Sequence, residues 1–144
     1  MERNKALGYL GLARRGNNIV IGEEPVGAAC RASHARLLIL ASDAADHTCR
    51  RARSFASGGK PPVLKVPFTK DDLGNALGCN ACAMAAFMDV ALALAFVKAL
   101  DGEKSHAELI ELLEHQTERV IKRRAEEKAH RKNIRQGKKK PSKS

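Results

Sequence analysis

Cys79 and Cys82 in Cys79-Asn80-Ala81-Cys82 have the spacing of a zinc knuckle or a thiol redox pair, and Cys30 with His34 offers a second possible pair of ligands. No second Cys-x-x-Cys accompanies them, and reduced Cys is also a common small buried residue, so neither a metal nor a cofactor is expected. His47 and Cys49 are two residues apart on a predicted helix start and so point to different faces, which removes a Cys–His nucleophile. Asp43 with Asp46, and Asp71 with Asp72, fit first-turn helix carboxylates better than an acid–base pair. Gly58-Gly59-Lys60 is too short for a phosphate loop and runs into Pro61, which has no amide to donate. These residues assemble no active site, and the chain reads as non-catalytic.

The basic residues are better placed for binding. The chain carries a formal net charge of +10, with 26 Lys and Arg against 16 Asp and Glu over 144 residues. Residues 1–118 balance, with 14 basic and 14 acidic, whereas residues 119–144 hold 12 basic and 2 acidic. The whole excess therefore sits in the last stretch, where Lys122, Arg123, Arg124, Arg131, Lys132, Arg135, Lys138, Lys139 and Lys140 would release counterions on meeting a nucleic acid. Arg14 and Arg15 end a predicted helix, and Lys60 and Lys70 lie at turns, so phosphate contact at one edge of the body is physically reasonable. No apolar run reaches the ~18 residues of a membrane span, and Met1-Glu2-Arg3-Asn4-Lys5 opens no signal peptide. A cytoplasmic protein with no membrane partner, and a monomer, is the expectation.

Alternating strands and helices must position these groups. Ala6, Leu7, Leu10 and Ala13 fall at helical spacing before Arg14-Arg15-Gly16, Ile19-Val20-Ile21 is β-branched, and Glu23-Glu24-Pro25 opens a helix reaching about Ser33. Leu37 to Ala41 reads as a strand buried on both faces, with Ser42 or Asp43 starting the next helix. Val63 to Val66 is a further strand. Thr69 and Asp72 form a capping box for a helix that Gly78 stops. Ala83 to Met88 fits either a helix or a buried strand by pattern; the alternation makes it a strand, with Asp89 capping a helix from Val90 to about Leu100. The expected fold is a three-layer α-β-α sandwich with a small central mixed sheet over residues 1–101. An amphipathic helix over 102–121 follows, with Ser105 as N-cap and a stripe of Leu109, Ile110, Leu112, Leu113, Val120 and Ile121. Residues 122–144 form a basic tail expected to be disordered, since Gly, Pro and like charges oppose a helix there.

Four strings, Leu10-Gly11-Leu12-Ala13-Arg14-Arg15-Gly16, Val20-Ile21-Gly22-Glu23-Glu24, Ala35 to Ala44 and Leu73-Gly74-Asn75-Ala76-Leu77-Gly78, resemble the bacterial YlxQ-like ribosomal proteins of the kink-turn RNA-binding superfamily. The resemblance covers roughly residues 3–100. It implies a structured, ribosomal RNA partner gripped by two loops. Carried onto this chain, one loop is Gly22, Glu23 and Glu24 with Arg14 and Arg15 nearby, and the other is Cys79, Asn80 and Ala81. The chain departs from the well-studied kink-turn binders in having Glu24-Pro25 for Asn-Glu or Lys-Gln, and Ala28 where a Lys is common. Two other readings of the residues stand beside this one: a protein-interaction module docking through the Leu109–Ile121 stripe, and a zinc or thiol-dependent protein using Cys79 and Cys82.

Overall fold

A computed structural model describes residues 2–59, 61–101 and 107–137. Its elements are α1 (Arg3–Arg15), β1 (Ile19–Ile21), α2 (Glu23–Arg31), β2 (Leu37–Leu40), α3 (Asp46–Gly59), β3 (Val63–Lys65), α4 (Lys70–Leu77), β4 (Met84–Phe87), α5 (Val90–Asp101) and α6 (Ala107–Gly137). The four strands form one mixed sheet in the order β1-β4-β2-β3. β4 runs antiparallel to both neighbours, with Ile21 opposite Ala85 and Leu40 opposite Met84, while β2 and β3 are parallel.

Strands β2 and β4 are buried at every position, as expected for central strands covered on both faces. Leu37, Ile39, Ala85 and Phe87 face one layer, where Leu10, Leu73, Phe96 and Leu100 pack. Leu38, Leu40, Met84 and Ala86 face the other, under Val26, Cys30 and Ala52 of α2 and α3. The alternation of side chains along a strand divides the two clusters, so the α-β-α sandwich follows from the period of two. Met84–Phe87 is thus the strand that the alternation predicted.

Three local readings are met in detail. The Thr69 hydroxyl accepts from the Asp72 amide at 3.1 Å and the Asp72 carboxylate from the Thr69 amide at 3.0 Å; Gly78 ends α4 in the left-handed conformation. Asp89 accepts from the Leu92 amide at 3.0 Å and opens α5.

Two expectations are corrected. The third helix begins at Asp46, not at Ser42 or Asp43, because that loop is tied to the next helix. The Asp43 carboxylate accepts from the Lys70 amide at 2.9 Å, and the Ser42 amide donates to the Phe68 carbonyl. Asp43 therefore satisfies the N-terminus of α4 rather than of its own helix. The second correction concerns the extension. Helix α6 does not stop at Ile121 but continues to Gly137, so residues 122–137 are helical and not disordered. Ala, Glu, Lys and Arg dominate that stretch, Glu118 precedes Lys122 and Arg123 precedes Glu127 by one turn, and no Pro occurs before Pro141. Helix propensity there outweighs repulsion between like charges. Ser105 and Lys138 to Ser144 lie outside the described residues, as does Lys60.

The start of α6 packs against α5 as part of the same core rather than as a separate unit. Ile110 and Leu113 are buried with α1 and α5 residues, and Leu109 and Val120 pack against them. The expected stripe is split, however: Leu112 and Ile121 face away and are 42% and 60% exposed.

Candidate nucleic-acid interface

The sheet order brings three helix starts to one end of the molecule. Because β1 and β2 both run antiparallel to β4, their C-terminal ends lie beside its N-terminal end, and β3 follows β2. The starts of α2, α3 and α4 therefore share that end with the loop before β4. Helix N-termini and the crevice beyond the carboxyl ends of strands are the usual places for an α/β sheet to bind a ligand.

Gly22 is the pivot. Its φ of +96° and ψ of 163° lie in a region essentially reserved for glycine, so a side chain there would strain the turn from β1 into α2. The Gly22 amide donates to the Met84 carbonyl at 2.9 Å, which joins this turn to the first residue of β4. The second loop is held as firmly. Cys79 N–H donates to Gly74 O at 2.8 Å, Cys82 N–H to Lys70 O at 3.0 Å, and the Cys79 thiol lies 3.7 Å from the Ala81 carbonyl. Gly74 lets the loop lie against α4: a Cβ there would stand 2.8 Å from Asn80 O and 2.9 Å from the Ala81 backbone. Only a residue without a side chain permits that approach.

The structure thus places Gly22, Glu23 and Glu24 at the same end of the sheet as the Cys79–Ala81 loop. Between them is an open cleft of about 230 Å³ lined in part by Gly22, Glu23, Ala81 and Met84. Glu24, Asn80 and Ala81 are exposed, and Glu23 is half-buried. Arg14 and Arg15 are not brought to this site. Ile19 pairs with Phe87, and the Met88 amide donates to Asn18 O at 2.7 Å, so the end of α1 lies at the opposite end of β1.

Sequence reasoning missed the contribution of α3. His47 and Thr48 also line the cleft. Farther along, His47, Arg50, Arg51 and Ser54 continue it as a surface depression with Glu23. The Arg51 Nε donates to a Glu23 carboxylate oxygen at 3.2 Å, and its guanidinium lies over the Phe55 ring, 5.3 Å from the centroid. Arg50, Arg51 and Arg53 follow one another on α3, and only the fold shows that Arg51 meets Glu23. Arg51 holds one carboxylate of the turn and leaves Glu24 without an ion pair among the described residues.

The thiols have structural surroundings. Cys82 is buried, its Sγ lies 3.4 Å from the Met84 carbonyl, and burial, with a smaller contribution from Cys79, pushes its pKa up to about 11. Burial likewise raises Cys30. A protonated thiol is a poor metal ligand and nucleophile. Among the described residues no three His, Cys, Asp or Glu side chains gather as a metal site.

The chain is 32% identical over 92 residues to the RNA-binding protein YlxQ of Bacillus subtilis (strain 168), an alignment spanning 64% of this chain and 91% of that one. The chain belongs to the YlxQ-like family. No family model matches it. A protein of unknown function from Bacillus halodurans shares 30% identity and superposes with a TM-score of 0.62 over 67% of this chain and 97% of the other. The Giardia lamblia 15.5kD RNA binding protein superposes with a TM-score of 0.55 over 77% of this chain and 88% of its own, at 16% identity, and so shares the fold. No described helix is long and apolar enough to cross a membrane.

Proposed function

We propose that this YlxQ-like protein is a non-catalytic binder of structured, kink-turn-like RNA, associated with the ribosome. The observation that carries the reading is the hydrogen bond from Gly22 to Met84, which ties the turn before α2 to the start of the strand that follows the Cys79–Ala81 loop, in a member of this family. On this reading Gly22, Glu23, Glu24, Cys79, Asn80 and Ala81 meet the RNA. The exposed Glu24 carboxylate accepts hydrogen bonds from base amino groups, Asn80 donates and accepts, and the small Ala81 and Gly22 let an extruded base approach the backbone. Carboxylates at the start of α2 repel phosphate, so this surface reads base edges and shape rather than net charge.

The extension supplies the electrostatic part. Lys122, Arg123 and Arg124 are exposed on α6; Arg131, Lys132 and Arg135 follow on the same helix, and Lys138, Lys139 and Lys140 come after it. Each phosphate they neutralise steepens the salt dependence of binding by roughly 0.7–0.9 on a log–log plot. The test compares a kink-turn RNA with the same RNA whose sheared G·A pairs are replaced. The full chain should prefer the first by at least about tenfold, the equivalent of roughly 1.4 kcal/mol. Equal binding overturns the kink-turn reading. A chain ending at Ile121, which keeps Ile110 and Leu113 in place, should retain the preference with a shallower salt slope.

A further inference from the structure

The arginines that the turn site leaves out gather elsewhere. At the far end of the sheet, Arg36 precedes β2 and its amide donates to the Phe87 carbonyl at 2.7 Å, beside Met88 and the end of α1. Helix α6 crosses this end through Val120. Arg36, Met88, Val90, Arg123, Arg124 and Glu127 line a cleft of about 270 Å³ there, with Asp89 and Val120 completing it. Arg14 and Arg15 belong to the same end of β1. The cleft therefore brings together arginines of two separate parts of the chain, Arg36 before β2 and Arg123 and Arg124 of α6.

Their partners distinguish them from ordinary surface charge. The four ion pairs among the described residues use Arg3, Lys5, Arg51 and Lys98, and none uses Arg14, Arg15, Arg36, Arg123 or Arg124. The acids nearby do not neutralise the group: the Asp89 carboxylate is engaged with the Leu92 amide, and Glu127 stands alone against three arginines in the cleft. Guanidinium groups form bidentate contacts with phosphate oxygens and keep their charge at any physiological pH. We infer that this face is a second RNA surface that grips the phosphate backbone of a duplex, so that the protein joins two RNA segments from opposite ends of its sheet. The inference rests on the reading of the protein as an RNA binder, but not on kink-turn recognition.

The test uses the full chain and a short perfect duplex RNA that has no unpaired bases. Substituting Arg36→Gln, Arg123→Gln and Arg124→Gln together should weaken duplex binding by about tenfold or more and lower the salt slope by roughly 2 to 3. A charge-matched control, Lys5→Gln with Arg53→Gln and Lys65→Gln on exposed positions elsewhere, should change affinity by less than about twofold. Equal losses in the two triple variants would show a net-charge effect and overturn the inference. A second arm saturates the protein with kink-turn RNA and then adds labelled duplex. Formation of a ternary complex supports two surfaces, and stoichiometric displacement of the duplex overturns them. Tighter binding of poly-glutamate than of duplex would assign the face to an acidic protein instead. Failure of G·A discrimination leaves the duplex arm readable, so the two readings fail separately.

Discussion

The two ends of the sheet are made of different materials. One is built from backbone: a glycine turn, a loop pressed against Gly74, helix starts, and carboxylates of which one is held by Arg51. The other is built from side chains, with Arg36 before β2 and Arg123 and Arg124 of α6 around a cleft. A backbone surface is fixed in shape and suits selection by shape and hydrogen bonding. A surface of guanidinium groups on rotatable stems suits phosphate, whatever the sequence. The difference teaches that the net charge of the chain and the specificity of the proposed RNA site have separate structural origins.

The largest effect is expected where the arginine end is anchored. Leu113→Ala removes a fully buried side chain that docks α6 on the body, at a cost of about 2–5 kcal/mol. Ile121→Ala, at a position 60% exposed on the same helix, should change stability by less than about 0.5 kcal/mol. Urea unfolding measures both, and similar small values would mean that α6 is not part of the core. At the turn end, Gly74→Ala forces a Cβ into the backbone of Asn80 and Ala81, with an expected loss of about 1–3 kcal/mol. The same variant should lose G·A discrimination while binding plain duplex normally. Loss of both activities together would erase the distinction between the ends.

Alkaline pH probes the turn end from beneath. The pKa of Cys82 is raised by folding, so its contribution to stability is complete below its ordinary value near 9 and is lost as pH climbs towards about 11. Stability followed by thermal melting should fall across that interval, and Cys82→Ala should flatten the fall. At the turn end the smallest effect on stability belongs to Arg51→Gln. It removes an exposed ion pair with Glu23 worth about 0.2–1 kcal/mol, and should be read in RNA discrimination rather than in melting temperature.

Much of this organisation was legible in the residues. Leu37–Leu40, the Thr69–Asp72 box, the Gly78 stop and the Asp89 cap are local signals, and each is met by the hydrogen bonds or burial described above. The pair of loops followed from family resemblance, which carried the positions of Gly22 and Asn80 although they are almost 60 residues apart in sequence. What escaped depended on tertiary contacts. Nothing local says that Asp43 serves the amide of Lys70, or that Arg51 reaches Glu23. Arg14 and Arg15 lie close to Gly22 in sequence, yet a three-residue strand separates them in space. The end of α6 follows helix propensity, which outweighs the charge and composition that point to disorder.

The central claim is that kink-turn RNA meets the backbone-built end. It is tested most directly by following the backbone amide resonances of the full chain as that RNA is added. The account predicts the largest shifts at Gly22, Glu23, Glu24, Asn80 and Ala81, with His47 and Thr48 of α3 moving beside them. Shifts confined to Arg36, Arg123, Arg124 and the rest of α6, with the Gly22 turn unmoved, would contradict it.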